Sequence, residues 1–172
     1  MDFLELAKNR YSVRKFSKKP VEPEKLDLIL QAGLLAPTAC NNQPERILVI
    51  DGAAELERLK KCTPYTFGAP VVLMVCYDRS KSWKRGYDGS DSGEVDAAVV
   101  TTHLMLETAA LGLGCTWVGC FDPAAARREF SLPRELVPVA LLPLGYPSPD
   151  AVPSVQHGRR SARGEIVFRN RF

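Results

Sequence analysis

Two arginines and a hydroxyl alternate along Arg10-Tyr11-Ser12-Val13-Arg14. In an extended chain, side chains two residues apart share a face, so Arg10, Ser12 and Arg14 point the same way. Two guanidiniums beside one hydroxyl make a compact anion site suited to a phosphate monoester. The same five residues also describe a solvated basic turn. A second cluster, Ala36-Pro37-Thr38-Ala39-Cys40-Asn41-Asn42-Gln43-Pro44, gathers a hydroxyl and several side-chain amides in one loop. Amides donate and accept, which suits the polar edge of a planar heterocycle. As a bare pattern it is equally a helix terminator rich in turn formers. In a third, Gly114-Cys115-Thr116-Trp117-Val118-Gly119-Cys120-Phe121, glycine permits close approach to backbone N–H groups, and Trp117 and Phe121 offer apolar walls. Gly158-Arg159-Arg160-Ser161 is a fourth candidate, a phosphate grip or simply a soluble tail.

Other reactive side chains carry weaker signals. Asp96, His103 and Glu107 share one side of a helical stretch, which could hold a metal. A hydrogen-bond network on the helix flank is the more economical reading, and no metal site is expected. Cys40, Cys62, Cys76, Cys115 and Cys120 are odd in number and contain no CxxC pair. They read as free thiols of a reducing cytoplasm; Cys115 and Cys120, in the third cluster, are read as ordinary buried thiols, with redox sensing the alternative. Trp83 and Tyr87 either face a substrate or anchor their own loop.

Length and composition frame these sites. The 172 residues suit a single domain, 1–172, and 45% hydrophobic against 25% charged residues describes a globular chain with a substantial core. No apolar run is long enough for a membrane span, and the N-terminus does not resemble a secretory signal. Net charge is only +3, yet 8–19 is uniformly basic, and a second basic tail covers 155–172. Such patches can draw nucleic acid or a small phosphorylated ligand. The second is preferred because the arginines already form phosphate-sized clusters and no nucleic-acid recognition motif is present.

Periodicity predicts the elements that hold these segments. Helices are expected over 2–9, 24–35, 53–61, 94–111 and 122–130, and strands over 46–51, 71–77, 115–121, 136–144 and 165–168. The unbroken apolar run 71–77 marks a strand covered on both faces. Pro138 and Pro143 push strand 136–144 to an edge or shorten it. Asp91 and Glu94 form a candidate capping box for the long helix, whose broad apolar surface implies burial in the centre or against a partner. Loop 78–92 is surface, long enough for a lid. The layout is mixed helix and strand in three layers, without a dinucleotide-binding fingerprint.

Taken together, RYSVR at 10–14, APTACNNQP at 36–44, ALGLGCTWVGCFD at 110–122 and GRR at 158–160 resemble the nitroreductase family of FMN-dependent NAD(P)H oxidoreductases, in the family's order and over nearly the whole chain. The resemblance implies an α+β fold, a mostly antiparallel sheet between helices, and an intertwined homodimer with FMN at its interface. It implies that Arg10, Ser12 and Arg14 hold the phosphate and ribityl, with Arg159 closing on the phosphate and Arg160 a secondary addition. Pro37, Thr38, Asn41 and Gln43 would border the isoalloxazine, some from the other subunit. Gly119 would present its N–H to flavin N5, with Trp117, Val118 and Cys120 nearby. The implied activity is hydride transfer from NADH or NADPH through FMN to an electron-poor small molecule, with dehalogenation, dehydrogenation or flavin storage as alternatives. Thr38 stands where a serine is common, and Glu45 where many relatives have an aromatic residue. The chain also lacks room between 62 and 95 for the large helical excursion of longer members.

Overall fold

The computed structural model describes residues 2–172. Its middle layer is an antiparallel sheet of β1 (Glu45–Ile50), β2 (Val71–Asp78), β3 (Gly114–Cys115) and β4 (Leu136–Gly145), in the order β1-β2-β4-β3. The alternation of β2 explains why no polar residue interrupts its apolar run. Val71, Leu73, Val75 and Tyr77 share one core with Ile29 of α2 (Pro23–Leu34) and with Ala97, Val100 and Leu104 of α4 (Gly93–Ala110). Val72, Met74 and Cys76 share the other with Leu59 of α3 (Ala53–Leu59) and with Ala125 and Ala126 of α5 (Pro123–Glu129). Burying both faces of the central strand produces the three-layer α+β arrangement expected from the sequence.

Helix starts follow local chemistry. Asp2 accepts the N–H groups of Leu4 and Glu5 at the head of α1 (Phe3–Asn9), and Asp122 accepts those of Ala124 and Ala125 ahead of Pro123. The expected capping box at the long helix does not form. Ser92 is its N-cap, and Asp91 instead accepts the N–H of Gly93.

Three further expectations are corrected. Strand 115–121 shrinks to the two residues of β3 and an isolated bridge from Val118 to Leu141. Thr116 donates its N–H to the Pro143 carbonyl, but proline has no N–H to return, so the ladder stops there. Strand β4 lies inside the sheet, not at its edge; its register slips between Val75 and Cys76, opposite Ala140 and Pro138, and this irregularity accommodates the proline. The segment expected as strand 165–168 joins no sheet; its first residues belong to the four-residue helix α6 (Arg163–Ile166).

Among the described residues, no helix is long and apolar enough to cross a membrane. Helix α4 is buried along one face at Ala97, Val100, Thr101, Leu104 and Thr108, while Val95 is exposed. It also sets distances: Asp96 and Ala109 stand about 20 Å apart at ~1.5 Å of rise per residue. The loop 36–44 meets the first end, and the Arg10–Arg14 segment meets the second.

Candidate functional site

The basic segment behaves as alternation predicts. Val13 is buried, its N–H donates to the Cys115 carbonyl at 3.0 Å, and Ser12 bridges Cys115 in parallel. That pairing turns Arg10, Ser12 and Arg14 to the same open side. They line one cavity of about 330 Å³ together with Tyr11, Ser154, Gln156, His157 and Arg160. Of the two tail arginines, Arg160 lines this cavity and Arg159 does not. The His157 ring stands edge-on to Tyr11, with centroids 6.2 Å apart, and the Arg160 guanidinium donates to the His157 carbonyl. Three guanidiniums with a hydroxyl and no carboxylate in the lining form a donor set for a phosphate.

Arg14 also lines a second, smaller hollow of about 170 Å³ with Tyr65, Phe67, Thr116, Trp117, Val118, Gly119 and Cys120. The chain is fixed on both sides of Gly119. Val118 exchanges backbone hydrogen bonds with Leu141, and the Cys120 carbonyl accepts the Thr63 hydroxyl at 2.7 Å. Between these anchors the Gly119 N–H donates to no acceptor among the described residues. A Cβ at Gly119 would meet nothing nearer than Trp117 Nε1, at 3.9 Å, so the backbone is open to a flat ligand. A guanidinium common to both hollows is what a phosphate joined to a planar ring would require.

Loop 36–44 is shaped differently. Cys40, Asn41 and Gln43 have φ of 52°, 53° and 49°, the left-handed region that costs a non-glycine residue on the order of 1 kcal/mol. The Thr38 hydroxyl accepts the Gln43 N–H at 3.1 Å, and Asn42 donates its amide to the Lys81 carbonyl at 3.1 Å. Asn41 and Gln43 are exposed. Pro37, Thr38, Asn41 and Gln43 line neither hollow around Arg14 within the same chain. Glu45, at the start of β1, is 9% exposed, and its Oε2 has no hydrogen-bond partner among the described residues.

Tyr65 and Phe67 were not singled out from the sequence. Their ring centroids lie 6.1 Å apart, Tyr65 is half-exposed, and Phe67 takes φ 54°. The signal available in the sequence was an aromatic pair, Tyr65 and Phe67, set between the turn formers Pro64 and Gly68. In loop 78–92, Tyr87 is wholly exposed and Trp83 partly so; ion pairs Arg85–Asp88 and Lys84–Asp91 brace the loop, and neither aromatic lines the hollows.

The proposed flank network on the long helix does not form. Asp96 bonds Ala39 N–H and Ser92 Oγ, whereas His103 Nδ1 meets the Val99 carbonyl. Cys115 is buried as expected, and desolvation pushes its thiol up to about 12. Cys120 is exposed, contrary to expectation, because it borders the open hollow.

With this geometry in place, comparison with known proteins is informative. The model of the nitroreductase family matches residues 7–67 and 58–146. A solved nitroreductase family protein of Clostridium difficile is 39% identical, with both chains covered in full and a TM-score of 0.94. A Methanothermobacter thermautotrophicus protein whose name carries NADH dehydrogenase and NAD(P)H nitroreductase is 32% identical over 155 residues, covering 86% of this chain and 78% of its own. An NADH dehydrogenase of Thermus thermophilus is 29% identical, covering 90% of this chain and 91% of its own.

Proposed function

The chain belongs to the nitroreductase family, and from that membership we propose that it is an FMN-dependent oxidoreductase working as a homodimer with NADH or NADPH as donor. The observation that carries this reading is Arg14, which lines both the cationic cavity and the open hollow beside Gly119. The donor chemistry fits FMN at both ends. Arg10, Ser12, Arg14 and Arg160 would bind the phosphate, with Arg159 a neighbour outside the cavity. The free Gly119 N–H would face the ring at N5, with Trp117, Val118 and Cys120 supporting that backbone.

FMN, when bound, would supply the hydride chemistry between NAD(P)H and an electron-poor acceptor of nitroaromatic or quinone type. The protein contributes orientation and charge. Arginines and backbone N–H groups aimed at one ligand stabilise negative charge without reorganising during the reaction. No side chain is required as nucleophile or base. If donor and acceptor use the one open hollow beside Gly119 in turn, double-reciprocal initial-rate plots should give parallel lines.

Distance supports a second subunit. Loop 36–44 and the Arg10–Arg14 segment meet opposite ends of α4, where Asp96 and Ala109 are about 20 Å apart. A second copy would bring Pro37, Thr38, Asn41 and Gln43 to the ring beside Arg14. Exposed apolar side chains support that arrangement: Leu34, Leu35, Val95, Val152, Val155, Ile166, Val167 and Phe168 all lie bare on one chain. Trp83 and Tyr87 would then meet the acceptor only through the dimer.

The test is spectroscopic. Purified protein supplied with FMN should retain it through gel filtration and bleach on anaerobic addition of NADH or NADPH. Protein that stays colourless with added FMN would refute the assignment; retained flavin that neither nicotinamide reduces would leave a flavin store instead.

A further inference from the structure

We infer that Asp96 is a positioning residue: from the first turn of α4 it fixes the backbone of loop 36–44 in the shape that presents Thr38, Asn41 and Gln43. The inference rests on the proposed role of that loop beside FMN but concerns a residue outside it.

Asp96 is 4% exposed, and both of its oxygens are engaged. Oδ1 accepts the Ala39 N–H at 2.9 Å, and Oδ2 accepts the Ser92 hydroxyl at 2.8 Å. Ser92 occupies the N-cap of α4, where a serine ordinarily accepts from the helix's own free N–H groups. Here its hydroxyl makes no such bond and donates to the carboxylate instead. A cap is thus given up to orient one carboxylate oxygen, which leaves the other aimed at the loop.

The loop has reason to need holding. Ala39 opens a single 3-10 turn, Ala39–Asn41; Cys40 and Asn41 within it and Gln43 after it take left-handed φ without being glycine. Such a conformation persists only where surrounding contacts over-determine it. Bonds within the loop join Thr38 Oγ1 to the Gln43 N–H, the Thr38 carbonyl to the Asn41 N–H, the Ala39 carbonyl to the Asn42 N–H, and the Asn41 carbonyl to the Gln43 amide. None of these ties it to the fold. The C-terminal end of the loop is held to the sheet, where the Pro44 carbonyl accepts the Asp78 N–H and the Gln43 carbonyl accepts from Arg46 Nη1. The Ala39 N–H to Asp96 bond holds the turn itself from a rigid helix, through a charge-assisted bond to a buried carboxylate. Asn42 to the Lys81 carbonyl gives an exposed tether beside it.

The experiment uses the full chain, with and without FMN. In flavin-free protein, hydrogen exchange should show Ala39 and its neighbours protected in the wild type and at least tenfold faster in Asp96→Ala. Asp96→Asn keeps an oxygen for Ala39 and an amide toward Ser92, so it should restore protection. FMN titration of the same variants should show Asp96→Ala binding about tenfold or more weakly and Asp96→Asn binding within about threefold of wild type. If Asp96→Ala does not fold, Ser92→Ala carries the test: loop exchange should rise by more than exchange in the central strand β2, which reports any global loss of stability. Wild-type exchange and FMN affinity in Asp96→Ala, or in Ser92→Ala where that variant stands in, would overturn the inference. So would an Asp96→Asn variant as impaired as the alanine. Because loop exchange is read without flavin, failure of the whole protein to bind FMN would leave this result standing separately.

Discussion

Single residues divide into those the ligand would meet and those the fold has shut away, and the cysteines mark the boundary. Cys40 and Cys120 are exposed, whereas Cys62, Cys76 and Cys115 are buried. Burial pushes the thiol of Cys76 up to about 11 and that of Cys115 up to about 12, so near pH 8 both stay protonated and unreactive. Iodoacetamide at pH 8 should therefore label Cys40 and Cys120 of folded flavin-free protein, and reach the other three only after denaturation. Peptide mass spectrometry reads the result. The sequence carried the anion site well at this scale: alternation in RYSVR sufficed to put Arg10, Ser12 and Arg14 on one side, and they line one cavity. The resemblance put Arg159 ahead of Arg160, yet Arg160 lines the cavity and Arg159 does not, because that order depends on a turn in the tail. Helical spacing grouped Asp96 with His103 and Glu107 and missed its actual partners, Ala39 and Ser92, which the fold brings to it from outside that helix face.

Elements hold the site by close approach. Gly114 of β3 lies against Val13, and a Cβ there would overlap the Val13 side chain and crowd Pro147. Gly114→Ala should cost about 1–3 kcal/mol of stability by overpacking. It should also push the Ser12–Arg14 segment away from Cys115. Thermal denaturation measures the first effect and weakened FMN retention the second. The central strand was legible because seven apolar residues without polar alternation have only one reading in a layered protein. The 115–121 strand was misjudged because its ladder depends on what stands opposite: Pro143 offers a carbonyl but no N–H. The prolines of β4 misled for a related reason, since a bulge allows proline inside a sheet and leaves no trace in the strand's own residues.

For the whole molecule, the account depends on two copies sharing each site. Within one chain the cationic cavity and the amide-bearing loop are held apart by the length of α4. That separation was not written in the linear order of motifs, which the family resemblance alone tied to a dimer. A subunit hybrid tests it directly. One chain carries Arg14→Ala; the other carries Asn41→Gly and Gln43→Gly, which remove the side-chain amides while tolerating the left-handed φ. Each parent homodimer should bind FMN at least tenfold more weakly than wild type. The hybrid, co-expressed and separated by two tags, should regain one tight site per dimer, because one pairing joins an intact Arg14 to an intact loop. A hybrid with no recovered site would contradict the account and return both segments to the same chain.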